Sequence, residues 1–252
     1  LEEFLNRINT PSKLKRLPVF HSCDAFSFRS ILKDREINTQ LCNVYKGENL
    51  VYFFYGKPAY RVNDEYNTRL KSFYPISLIL KENALEDVKR IMPFDSGAFH
   101  FGLFKDYLHP KMTLSDFELN GSMDNTRKIV HYFFDTNKNY FLSNPKKDTK
   151  VDPLDFEVES YLELINSKQI QKVDDRKSII EIQNNSSVSL TADNVLSIII
   201  PDTLLVNPKV ESFINELNIE PILYSDQGHY SIGNLENFYS LTEELLSENK
   251  LL

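Results

Sequence analysis

The segment Leu50-Val-Tyr-Phe-Phe-Tyr-Gly-Lys-Pro-Ala-Tyr-Arg61 constrains the fold more than any other. Leu50–Tyr55 is short, rich in aromatic residues and bounded by turn residues, which predicts a buried strand rather than a helix. Gly56 and Pro58 close it in a turn, and a Tyr60-Arg61 pair follows. Pro75-Ile-Ser-Leu-Ile-Leu80 is a second run of the same kind, with a nearly continuous apolar pattern that predicts burial on both faces.

Around these two runs the chain alternates between strand and helix patterns. The first sixteen residues read as a short helix or arm, and Val19-Phe20-His21 as a strand. Asp24 is placed to cap a helix over Ala25–Arg35, whose Phe28, Ile31 and Leu32 share one face. Pro93–Phe99 reads as a loop with a compact turn. Asp124 starts a helix through Ile129, Val130 and Phe133, and Asp155 another through Val158, Tyr161, Leu162 and Ile165. After a polar connector, Asn166–Lys177, come strands over Ser178–Gln183, Val195–Ile200 and Ile219–Tyr224. Asn207 caps a helix with Pro208 in its first turn, and Leu235–Glu248 closes the chain as an amphipathic helix. The expected class is α+β, with split mixed or antiparallel sheets and flanking helices. Residues 1–252 show no boundary, repeat or low-complexity tract and read as a single domain.

Composition narrows the class of partner. A net charge of −7 argues against coating nucleic acid by charge alone. Local basic groups remain: Lys13, Lys15 and Arg16; Lys57, Arg61, Arg69 and Lys71; Lys146, Lys147 and Lys150, each of which also reads as a solvated face. Cys23 and Cys42 have no metal-ligand spacing and fit free thiols in a reducing cytoplasm. The longest apolar run, Val195–Ile200, is too short to span a bilayer. The first residues lack a basic segment followed by an apolar one, so a cytoplasmic location is expected.

Three polar signals interrupt the apolar strands. His21-Ser22-Cys23 ends the run Leu17–Phe20. Gly56 lets the backbone approach a ligand closely, and of the flanking Tyr55 and Tyr60 either could stack on a planar ligand or serve the core. Glu181 lies among Ile179, Ile180 and Ile182, where an unpaired carboxylate is seldom found, although a period of two would also let it face water.

In this order, His21-Ser-Cys, Phe53-Phe-Tyr-Gly-Lys-Pro-Ala-Tyr60 and Ile180-Glu-Ile-Gln183 followed by Leu196–Pro201 resemble the ADP-ribosyltransferase superfamily. The pattern is most similar to the bacterial DNA-modifying toxins of the DarT type, over roughly residues 17 to 224. The resemblance implies an enzyme that takes NAD as substrate, breaks its nicotinamide glycosidic bond and transfers ADP-ribose to an acceptor. It assigns Glu181 and Arg61 to catalysis, and His21, Ser22, Tyr55, Gly56, Lys57 and Tyr60 to the NAD site. Nicotinamide leaves as a neutral molecule, so this reaction needs no general acid. It needs an anion near the developing oxocarbenium ion, a role for one glutamate. One departure is Lys57, where the toxins carry an arginine, with Arg61 four residues further on.

The basic groups Lys57, Arg61, Arg69 and Lys71 favour a nucleic-acid acceptor, and toxin-like relatives imply an antitoxin partner. Glu157-Val-Glu159 imitates a paired-glutamate motif but falls in a helical pattern. Asp95, Glu157, Glu159 and Glu181 could serve a metal-dependent nuclease. An NAD glycohydrolase, or a non-catalytic binding module of the same fold, would keep most of the same residues. No metal site is expected.

Overall fold

The computed structural model describes residues 1–11, 13–59, 70–147, 149–167, 175–225 and 233–252. In chain order its helices are α1 (Glu2–Asn6), α2 (Ala25–Asp34), α3 (Ser96–His100), α4 (Asp124–Ile129), α5 (Asn137–Phe141), α6 (Phe156–Asn166), α7 (Pro208–Leu217) and α8 (Gly233–Glu248). The strands are β1 (Val19–Asp24), β2 (Glu36–Ile37), β3 (Gln40–Leu41), β4 (Asn49–Tyr55), β5 (Pro75–Leu80), β6 (Val88–Met92), β7 (Leu119–Asn120), β8 (Glu181–Asn184), β9 (Val188–Ser189), β10 (Val195–Pro201) and β11 (Glu220–Tyr224).

Among the described residues, nine strands form one sheet in the order β11-β10-β5-β1-β4-β8-β6-β7, with β3 on the start of β4. Within it β10 and β11 run parallel while the other described pairs are antiparallel, so the sheet is mixed and the class is α+β, as the alternation predicts. Every residue of β5 is buried. One side of that region is covered by Phe238 of α8, which packs with Phe20, Ile79, Ile199 and Tyr224. On the other side lie α2 and α7, joined by an edge-on contact between Phe28 and Phe213 at 5.8 Å. Asp24 caps α2 through Ser27 N–H at 2.7 Å, and Asn207 caps α7 through Lys209 N–H at 3.0 Å.

The sheet opens between β1 and β4. β1 pairs with β5 at six positions, but with β4 only through Val19↔Tyr55 and Phe20↔Phe54. Past that point the two strands part.

Three local expectations are corrected. Pro93–Phe99 is not all loop: Asp95 caps α3 through Ala98 N–H, which starts a helix at Ser96. The helix starts at Asp124 as expected, its carboxylate held by Arg127 at 2.6 Å, but past Ile129 it changes register to a π-helical turn over Val130–Phe134. The strand expected from Ser178 begins at Glu181. Tyr55 N–H still bonds Ile180 C=O at 3.0 Å, but the Tyr140 hydroxyl occupies the reciprocal position. It accepts from Ile180 N–H at 3.1 Å and donates to Tyr55 C=O at 2.7 Å, which ends direct pairing there.

Candidate active site

Strand pairing brings the three sequence signals onto three neighbouring strands. His21 is on β1, the aromatic run is β4 and Glu181 opens β8, and these are consecutive in the sheet although 160 residues separate the first signal from the last. Ile79, Phe20, Phe54, Glu181 and Met92 form one row across five strands.

Glu181 is 2 % exposed, so the water-facing reading does not describe it. Its carboxylate accepts from Ser96 Oγ at 2.6 Å, Ser96 N–H at 3.2 Å and Gln183 Nε2 at 2.7 Å. Three donors hold one orientation, which offsets the desolvation of a buried carboxylate. A second layer fixes the donors. Arg90 gives one guanidinium nitrogen to Gln183 Oε1 at 3.0 Å and the other to both oxygens of Glu48, at 2.9 and 2.8 Å. This pairing with Arg90 keeps the Glu48 carboxyl below its ordinary range. The Arg90 guanidinium also lies 3.9 Å from the centre of the Tyr45 ring. Burial first, and then the Glu118 charge, push the Tyr45 phenol up; burial first, and then the bond to Cys42, push the Tyr52 phenol up. Tyr52 also meets Cys42 Sγ at 2.8 Å.

His21 sits where β1 and β4 part. Its Nδ1 is 3.0 Å from Tyr52 C=O, so the side chain closes a gap that the backbone ladder leaves. A carbonyl only accepts, so Nδ1 carries the proton; burial lowers the imidazole pKa, leaving a neutral ring with Nε2 as an acceptor. Alternation places His21 with Phe53, 5.6 Å away between ring centres, on the face opposite Glu181.

The other predicted residues are placed as follows. Ser22, on the Glu181 face, bonds Pro58 C=O and meets Ser77 Oγ at 2.8 Å, tying the turn after β4 to β1 and β5. Tyr55 is fully buried, its hydroxyl accepting from Leu17 N–H at 3.0 Å, which makes it a core residue rather than an open stacking platform. Gly56 has φ +65°, and a Cβ there would run into the Leu17 side chain, so its glycine serves the turn.

Lys57 is fully buried and does not join a surface cluster. Its ammonium donates to Ser143 Oγ at 2.8 Å, lies 4.7 Å from the centre of the Tyr140 ring and sits 4.0 Å from Asp175. Burial, only partly opposed by Asp175, lowers its pKa to about 8. Tyr60, Arg61 and Arg69 lie outside the described residues.

Glu157 and Glu159 are on α6, as the helical pattern predicts. Glu159 is exposed and lines a separate surface cavity of about 540 Å³ with Lys146, Lys147 and Glu163. Among the described residues no three His, Cys, Asp or Glu side chains cluster as a metal site would require. No helix among them is long and apolar enough to cross a membrane.

Ser96 and Gln183 bond the carboxylate, and Arg90 and Glu48 hold Gln183 from behind; of these only Gln183 falls in a segment that the sequence singles out, and there for its place in the motif and not as a donor. A local signal for Ser96 is Asp95-Ser96, a helix-cap pair after Pro93-Phe94. The sequence matches no protein-family model and none of the curated proteins.

Proposed function

We propose that the chain is an NAD-dependent ADP-ribosyltransferase with Glu181 as its catalytic carboxylate. The observation that carries this reading is the adjacency of β1, β4 and β8. His21, the aromatic strand and a buried, hydrogen-bonded glutamate occupy consecutive strands, where the backbone pairing of β1 with β4 ends. Glu181 fits the electrostatic requirement, because its orientation is fixed before the reaction rather than during it. His21 fits a ribose contact through the Nε2 acceptor.

In the reaction the bond between ribose C1′ and the pyridinium nitrogen breaks. Its electron pair neutralises the ring, and nicotinamide leaves. Glu181 stabilises the positive charge on C1′ and the ring oxygen. An acceptor oxygen or nitrogen then bonds C1′ and sheds its proton to solvent. Arg61, four residues beyond Lys57, is proposed to bear on the charge of the pyrophosphate or transition state, since Lys57 is engaged in the interior. The resemblance also supports a toxin- or defence-like role, a nucleic-acid acceptor and an antitoxin that restrains the enzyme in the cytoplasm.

The test is incubation with NAD labelled in its adenylate half, with and without nucleic acid. Nicotinamide release with label transferred to nucleic acid is expected. Release without transfer would assign a glycohydrolase, and no release at millimolar NAD would overturn the proposal.

A further inference from the structure

We infer that the surface after α3, centred on Phe101, is where a single-stranded nucleic-acid acceptor docks; this rests on the transferase reading above. The surface is joined to the carboxylate by one short helix. Ser96, the first residue of α3, bonds Glu181, and Phe101 ends the same helix. At ~1.5 Å per residue the two lie roughly 8 Å apart along the axis.

The helix carries aromatic residues in two directions. Phe99 stacks on buried Phe94 at 5.7 Å, and Phe104 meets the same ring at 5.4 Å, so both ends of the turn are anchored in the core. Phe101, between them, is 75 % exposed, and touches His100 edge-on at 5.2 Å. The turn is fixed by bonds from Gly102 N–H to Phe99 C=O at 2.9 Å and from Leu103 N–H to Ala98 C=O at 3.0 Å. Gly102 takes φ +76°, which only glycine adopts readily. An anchored turn that holds a large aromatic ring in water is a stacking platform, because every base offers a π-face.

Charge selects the occupant. Lys105, His109 and Lys111 are exposed on the same segment beside a single carboxylate, Asp106, in a chain whose net charge is −7. A base on Phe101 would leave its flanking phosphates to the lysines of the same segment. A structured duplex would hide the base faces that such a ring needs.

The test is fluorescence anisotropy with a short labelled oligothymidylate and oligouridylate, without NAD, over a salt series. Wild-type binding should weaken steeply with salt. Phe101→Ala should weaken it about 5- to 150-fold. Lys105→Ala with Lys111→Ala should reduce the salt slope by about 1.4. Lys209→Glu, on α7 outside the surface, should bind as wild type does. Absence of salt-dependent binding, or equal binding by the Phe101 variant, would overturn the inference and leave the face to a protein partner. Nicotinamide release is recorded in parallel: its absence counts against the transferase and leaves the binding result standing.

Discussion

Lys57 shows how one residue can change meaning between sequence and structure. In the sequence it sits in a turn among other basic residues, where a solvated cation is the default. In the fold its ammonium is buried against Ser143 and Tyr140, with Asp175 at 4.0 Å. Its folded pKa of about 8 lies below its ordinary 10.5, so between these values the unfolded chain holds a proton that the folded chain has released. Stability therefore rises with pH across that window. Urea unfolding of wild type and Lys57→Met from pH 7 to 10.5 should show wild type gaining on the variant by up to about 3 kcal/mol. A pH-independent difference would mean that Lys57 stays protonated in the fold. Ser143, held at φ +51° with its hydroxyl on Ser178 at 2.8 Å, continues this contact toward the start of β8.

At the scale of elements, the link between β4 and β8 positions the carboxylate. The Tyr140 hydroxyl bridges Tyr55 C=O and Ile180 N–H one residue before Glu181. Removing it leaves a buried donor and a buried acceptor without that partner, each worth roughly 1–3 kcal/mol. Tyr140→Phe should therefore lose about 2–4 kcal/mol in denaturant unfolding. A loss under about 1 kcal/mol would show that the two strands can close directly. Elements with a strong local pattern are legible in the sequence: α2 and α7 from their caps, and β4, β5 and β10 from their apolar runs. β6 is not, because Val88-Lys-Arg-Ile-Met92 carries two adjacent cations, and the burial of Arg90 depends on its bonds to Glu48 and Gln183. Those partners lie 42 and 93 residues away, beyond the reach of any local window. Ser96 is hidden for the same reason: nothing near it in sequence shows that its hydroxyl meets a carboxylate 85 residues on.

At the scale of the molecule, strand order brings three scattered signals onto three consecutive strands. Hydrophobic alternation fixes which residues are strands and which face they present, but not which strands become neighbours. His21 and Glu181 are readable as polar interruptions. Their placement on opposite faces follows only from the registers Phe20↔Phe54 and Phe54↔Glu181. The central claim is that Glu181 is the charge that promotes loss of nicotinamide. The most direct measurement is the rate of nicotinamide release from NAD by wild type, Glu181→Gln and Glu159→Gln, each first shown to unfold at a similar temperature. Glutamine keeps the size of Glu181 and removes its charge, so the rate should fall by ~10²–10³, roughly 3–4 kcal/mol of barrier, while Glu159→Gln stays near wild type. Full turnover by Glu181→Gln, with or without loss in the Glu159 variant, would contradict the assignment.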